Sequence, residues 1–406
     1  MRKAVVLVSL LACAVAVAAA QPLRFDDVVR NLRNPDPKVR VDAIHLLRQA
    51  RYPEAIGPIA ALVTDPVDQV QLESIAAELS FFVVDDLKTR RHVGFVIERR
   101  TPAVARAAFE LPPSARWRRP APPSLVKGLI AAIDDDQPRV RLEAVYAVGV
   151  VAEPPLAPDD SRALIKALDH SDPAVRAAAA EVIGRLRIAS AGDALLRAVN
   201  DSSPDVRHAA MRALGEIHDV RAVEALTEQL KFYGTGDGAA SALDALAQLG
   251  QPASVPVFKA HLTDKDPNIR RAAAEGLGRA GDQSVRADLS MAVTTDSSRM
   301  VRMAMAFALQ KLGLHYVQRI VDEMATTSLM PQAESYLLEL GPTAGPPLIA
   351  ALQDPDAAIR MAAANALGFI GGQTAMTALQ KTAGDSDPDV AAAAKRALDR
   401  LCLTTS

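Results

Sequence analysis

Arginine is the residue type whose spacing in this chain most invites a chemical reading. It recurs at one place in a repeated phrase, as Arg40, Arg141, Arg176, Arg207, Arg270, Arg302 and Arg360. A guanidinium is a permanently charged, forked donor that suits carboxylates and phosphates. Stacked one above another, these forks would form a positive stripe for an anionic partner, or a structural ladder. In the ladder each Arg bonds an Asp at a neighbouring repeat's helix start, and the joint recurrence of Arg and Asp favours it. A second concentration of charge lies in residues 88–120. There Lys88, Arg90, Arg91, Arg99, Arg100, Arg106, Arg116, Arg118 and Arg119 face only Glu98 and Glu110, giving +7 in a chain of net charge −2. The segment holds Trp117, the only tryptophan, and runs into Pro120-Ala121-Pro122-Pro123. Arg and Trp dominate binding hot spots, so Arg99, Arg100, Arg116, Trp117, Arg118 and Arg119 are candidate partner-binding residues. The competing reading is a solvated insertion.

Other residues give catalysis little foothold. Gly234-Thr235-Gly236-Asp237-Gly238 has the glycines of a phosphate cradle. It lacks a Gly-Lys-Ser/Thr ending and a preceding strand, so it reads as a turn. Ser and Asp stand mostly at helix starts, where capping accounts for them. The two cysteines are Cys13 and Cys402. Cys13 lies in a segment expected to be removed, and one thiol builds neither a disulfide framework nor a Cys-cluster metal site. The seven histidines, His45, His92, His170, His208, His218, His261 and His315, are scattered over different repeat positions. They read as surface or capping residues. No catalytic residue, metal or cofactor is expected, nor a small-molecule ligand.

The elements that must position these side chains follow from the phrase itself. Asp36-Pro37-Lys38-Val39-Arg40 returns as Asp172-Pro173-Ala174-Val175-Arg176, Ser203-Pro204-Asp205-Val206-Arg207 and Asp266-Pro267-Asn268-Ile269-Arg270. Looser copies surround Val140, Val301, Ile359 and Val390. Asp or Ser caps a helix start, and proline sits in the first turn, where its missing N–H costs nothing. After Val175, apolar residues follow at Ala178, Ala179, Val182, Ile183 and Leu186, tracing one face of a helix. Glycine then closes many helices, as at Gly250, Gly281, Gly313, Gly341 and Gly371. A shorter apolar helix precedes the next copy.

The spacing is 31 residues from Val175 to Val206, 63 from Val206 to Ile269, 32 from Ile269 to Val301 and 31 from Ile359 to Val390. Degenerate units fill the gaps, giving about twelve between residues 22 and 403. Such a unit cannot bury its face alone, and stacking makes a continuous core. Half of the residues are apolar yet only 4% are aromatic. Ala, Leu and Val carry that share, which suits closely packed short helices. The expectation is therefore all-α: a right-handed superhelical solenoid of about twelve helix pairs.

Asp-Pro-x-Val-Arg, the Ala-rich second helix and the closings Leu214-Gly215, Leu277-Gly278 and Leu367-Gly368 resemble the HEAT repeat, and more closely the PBS-lyase HEAT-like repeat. The resemblance covers nearly all of the chain after residue 20. It implies an armadillo-like superhelix, and it is specific for fold rather than function. The family includes scaffolds, chromophore lyase subunits and a hydroxylase. The hydroxylase branch implies two iron ions held by His-Glu pairs on successive repeats. Here no histidine is followed by Glu, and only His218-Asp219 comes near. The lyase branch has no sharp motif to test, so it is less readily excluded, and nothing in the residues supports it.

The N-terminus reads as an address. Met1-Arg2-Lys3 precedes an apolar run over residues 4–18, and Ala18-Ala19-Ala20 supplies a small-residue cleavage pattern. Removal would leave a mature chain of charge −4. Alternatives are an uncleaved anchor, or a lipoprotein modified at Cys13 after Leu10-Leu11-Ala12; only these would tie the chain to a membrane. The organisation expected is a signal peptide over 1–20, N-terminal repeats over 21–87, a basic irregular insertion with a degenerate repeat over 88–124, and a repeat array over 125–403. Net charge gives no basic signature of nucleic-acid binding. The favoured function is a periplasmic or secreted, non-catalytic scaffold holding a protein partner on its concave surface. Alternatives are an enzyme or enzyme subunit of the lyase or hydroxylase kind, or a binder of an anionic surface through residues 88–120.

Overall fold

The computed structural model describes residues 24–83, 104–111, 120–326 and 328–404. All its regular elements are helical. In chain order they are α1 (Phe25–Asn31), α2 (Pro37–Ala50), α3 (Ile56–Ala60), α4 (Asp68–Ser80), α5 (Val104–Phe109), α6 (Pro123–Ala131), α7 (Pro138–Val151), α8 (Pro158–Lys166), α9 (Pro173–Arg185), α10 (Gly192–Ala198), α11 (Pro204–Glu216) and α12 (Val223–Tyr233). Then follow α13 (Gly236–Leu249), α14 (Val255–His261), α15 (Pro267–Ala280), α16 (Arg286–Thr295), α17 (Arg299–Lys311), α18 (Val317–Asp322), α19 (Met330–Leu340), α20 (Gly345–Ala351), α21 (Ala357–Ile370), α22 (Gln373–Thr382) and α23 (Pro388–Thr404). Among the described residues short and long helices alternate, with α5 as the one helix described between α4 and α6. Among the described residues no helix is long and apolar enough to cross a membrane.

The repeated phrase opens the long helices. Asp36, Asp172, Asp266 and Asp356 each accept the N–H two residues on, and Ser298 accepts that of Val301. Ser203 is a correction: its side chain caps nothing, and its own N–H is held by Asp201. The closing glycines Gly250, Gly281, Gly313, Gly341 and Gly371 all have φ between 57° and 90°, a region in which a Cβ is strained.

Long helices stack on one another to form one layer, α2 on α4, α4 on α7 and onward to α21 on α23, with α5 packed on α4 and α7. The short helices cover the other side of this layer, α6 on α7, α12 on α13, α14 on α15 and α22 on α23. A long helix therefore meets neighbours on three sides. In α15, Ile269, Ala272, Ala273, Ala274 and Leu277 are all buried, on more than one face. One continuous core runs from Val28 to Leu401. The result is an all-α superhelix of helix pairs.

Alanine and glycine set the pitch of the stack. A Cβ on Gly278 would lie 2.5 Å from the Cα of Ala308, and one on Gly368 would lie 2.8 Å from the Cα of Ala397. Gly184 and Gly215 meet Ala213 and Ala245 in the same way. The Leu-Gly pair is thus a contact between successive long helices, with Leu in the core and Gly against the next backbone. Gly278→Ala is expected to destabilise the protein by about 1–3 kcal/mol through overpacking. Gly128→Ala, inside α6 and with the new Cβ no nearer than 3.4 Å to the Val63 side chain, should instead stabilise it by about 0.5–1 kcal/mol. Urea denaturation of the two variants checks the pair; a neutral Gly278→Ala would contradict this packing.

Candidate binding surface

The recurrent arginines fasten the loops that precede the long helices. In Arg176, Nη1 donates to the His170 and Ser171 carbonyls behind it, at 2.8 and 3.2 Å. Its Nε and Nη2 donate to the two carboxylate oxygens of Asp201 in the next unit, both at 2.8 Å. Arg270 grips Asp296, and Arg360 grips Asp385, in the same two-pronged way. Arg40 reaches Asp65 at 2.8 Å. The receiving carboxylate is usually two residues before the helix cap, and its Oδ1 also accepts the backbone N–H there, as Asp201 does from Ser203. In Arg141's rung that place is held by His170, so Arg141 turns to the cap residue Asp172 at 3.1 Å. Two rungs differ. Arg207 faces a unit that opens with Gly234-Thr235-Gly236, and donates to the Tyr233 hydroxyl at 2.6 Å. Arg302 keeps its backward bond to the Asp296 carbonyl, at 2.6 Å, and among the described residues forms no ion pair with a carboxylate.

A second line of charge runs along the solvent-facing side of the long helices. It comes from positions six and ten after the Val or Ile of the phrase: Tyr146, Glu181, Arg185, Arg212, Glu216, Glu275, Arg279 and Lys311. Tyr146 donates to Glu181 at 3.0 Å, and Arg212 reaches Glu181 at 3.1 Å. Further along, Asp244 accepts both prongs of an Arg271 nitrogen at 2.6 and 2.7 Å, and Arg271 and Arg279 both hold Glu275. Glu275 also accepts from the buried Tyr336 hydroxyl at 2.5 Å. Burial first, then the Glu275 charge, pushes that phenol well above its ordinary range. Arg279 lies 5.1 Å from the Phe307 ring centre and bonds Glu339, which Lys311 approaches at 3.4 Å. Phe307 and Tyr336 stack at 4.4 Å.

These contacts show which way the stack bends. Tyr336 and Glu339 lie on α19, whereas Glu275 and Arg279 lie on α15, with α17 between them. Helix axes two steps apart in a flat layer are about 16–20 Å apart, so side chains bridging them mark the inside of a curve. The same happens at the other end. Phe109 of α5 crosses α7 over Gly149, where a Cβ would meet its ring at 2.6 Å. It then receives Arg185 of α9, through its carbonyl and on its ring face. The long-helix layer is therefore the concave one, and its charges hold each other in place.

The candidates Arg99, Arg100, Arg116, Trp117, Arg118 and Arg119 lie outside the described residues, as do His92, Cys13 and the residues assigned to the signal peptide. Within the basic interval 88–120 only residues 104–111 and Pro120 are described, and α5 is fastened by Glu143. The Glu143 carboxylate accepts the Val104 and Ala105 N–H groups at 2.9 and 2.7 Å. Burial raises its pKa and these two amides pull it back. The histidines go separate ways: His45 meets Glu73, His170 accepts from the Asp172 N–H, and His261 meets the Val257 carbonyl. Among the described residues no group of His, Cys, Asp and Glu is arranged to hold a metal. The concave charge line went unread in the sequence, although its signal is there as charged residues recurring six and ten places after each Val or Ile.

Two outcomes follow. Arg176→Ala should destabilise by about 1–3 kcal/mol, because charge-assisted bonds are lost and the half-buried Asp201 carboxylate is left without its partner. Arg176→Lys should recover only part, since an ammonium cannot fork. The Arg176 guanidinium holds Asp201 below the usual carboxylate range, so this contribution is present above about pH 4 and fades on acidification. Melting curves at pH 7 and pH 3 check both points; equal losses at the two pH values would contradict the assignment. Glu78 behaves in the opposite sense. It is buried, neither carboxylate oxygen has a hydrogen bond among the described residues, and burial holds its pKa well above normal. Its cost grows as pH rises past the ordinary glutamate value. Glu78→Leu should therefore stabilise by about 1–3 kcal/mol at pH 7 and by less at pH 4, which denaturation at the two pH values measures.

A family model described as HEAT repeats matches residues 161–231, 236–310 and 336–399, just over half of the chain. No curated protein matches it. Among solved structures, an engineered protein is similar at 18% identity over 93% of this chain and 98% of its own, with a TM-score of 0.35. Human deoxyhypusine hydroxylase in complex with glycerol is 22% identical over 68% of this chain and 96% of its own, with a TM-score of 0.29. The complex of CpcE and CpcF of phycocyanin lyase from Nostoc sp. PCC7120 is 16% identical over 80% of this chain and 97% of its own, with a TM-score of 0.34. With units opened by Asp-Pro-x-Val-Arg, stacked through Leu-Gly and laced by arginine, the chain belongs to the HEAT-repeat family.

Proposed function

We propose that the protein is an exported scaffold that binds a protein partner on its concave face and carries out no chemical step of its own. The observation that carries this reading is the concave charge line. From Tyr146 to Lys311 it presents interleaved acids and bases in a geometry fixed by their own contacts. Groups so held lose little freedom when a partner arrives, which favours specific polar recognition. Guanidinium–carboxylate pairs also neutralise one another, so what the face offers is shape and an ordered pattern of charge. Export rests on the positive start, apolar run and Ala18-Ala19-Ala20 of the N-terminus.

Crosslinking and affinity capture from the native envelope fraction tests the proposal. One protein should be enriched by the wild type. It should fall about tenfold with Arg212→Glu/Lys311→Glu, both exposed on the concave line, in a variant that melts like the parent. Loss on changing Arg116, Trp117, Arg118 and Arg119 to Ala, with the double variant unaffected, would move the contact off this face. Metal or pigment purifying with the protein would overturn the non-catalytic reading.

A further inference from the structure

Arg302 is a ladder arginine whose carboxylate is missing. Its backbone anchor is the usual one. Nη1 donates to the carbonyl six residues back at 2.6 Å, as Arg176, Arg270 and Arg360 do at 2.8, 2.8 and 2.9 Å. In those three rungs the anchor aims Nε and Nη2 at an Asp that stands 25 or 26 residues on, and the two bonds measure 2.8–3.0 Å. At the same distance from Arg302 the chain has Thr327 and Ser328, neither of which carries a carboxylate. The half-buried Arg302 fork opens instead into a cleft of about 340 Å³, lined by Arg302, Met303, Arg319, Asp322 and Glu323.

The acids in this cleft are engaged elsewhere. Glu323 pairs with Arg299 at 2.7 Å, and Asp322 accepts from Gln318 at 2.9 Å. Among the described residues Arg319 reaches only the Val293 carbonyl, at 3.4 Å. Three guanidiniums thus stand against two carboxylates, with the Arg302 fork held in the orientation that its sister residues use to grip Asp.

We infer that this broken rung is a binding site for a carboxylate supplied from outside the chain, the fork taking both oxygens as Arg176 takes those of Asp201. The occupant is an acidic group of the protein partner, either an Asp or Glu side chain or a chain end, so the identity of the occupant rests on the scaffold reading. The carboxylate specificity does not, because the neighbouring rungs display it within this chain.

The test follows the arginine Nε–H signals of the full chain by NMR while two probes are added at constant ionic strength. N-acetyl-aspartate α-amide carries only a side-chain carboxylate, and N-acetyl-alanine carries only a terminal one. The Arg302 signal should shift saturably with at least one probe, and the better one names the source, while Arg176 and Arg270 stay still because their forks are filled. Ser328→Asp should supply the missing acid in cis, raise the melting temperature and abolish the probe-induced shift. No saturable shift with either probe, or an equal shift with sodium chloride, would overturn the site. Failure of partner capture with an intact Arg302 response would overturn only the partner as the source, so the two readings fail separately.

Discussion

Where Gly278 meets Ala308, or Gly368 meets Ala397, successive long helices come within the reach of a single missing methyl group. That closeness is the constraint on which the other features depend. It requires small residues at one register position of each long helix, which explains a core rich in alanine and poor in aromatics. It also brings the starts of neighbouring helices near enough for an arginine of one unit to grip an aspartate of the next. Widening the spacing by one side chain would loosen both the core and the ladder.

The same closeness makes the inner face. Once the layer curves, charged residues at equivalent positions of successive helices converge, and some reach past a neighbour to the helix beyond, as Tyr336 does to Glu275. Acids and bases then interleave along the curve, and neighbouring like charges are bridged by an opposite one, as Arg271 bridges Asp244 and Glu275. The outer layer of short helices has no such convergence; its exposed Phe232 and Met291 stand on the convex side.

The sequence made the local features readable because they depend on neighbours in the chain. Asp-Pro-x-Val-Arg states a helix start within five residues, and Asp266 and Asp356 cap as that phrase requires. The all-α stack followed from the period. What escaped reading depends on residues far apart. The Asp244–Arg271–Glu275–Tyr336 cluster joins three long helices, and its charges look like ordinary solvated positions until the curvature is known. The exceptions were hidden in the same way. Ser203 sits at a helix start yet accepts no N–H there. Arg207 finds a tyrosine because its neighbouring unit has drifted to Gly-Thr-Gly, an outcome set by the adjoining repeat.

The central claim is that the concave layer, rather than the convex one, meets the partner. A photoreactive amino acid placed at Arg212 on the concave line, and separately at Met291 on the short-helix layer, measures this directly in intact cells. The account predicts a discrete adduct on irradiation from position 212 and none from position 291. An adduct from 291 alone would place the contact on the convex side and contradict it.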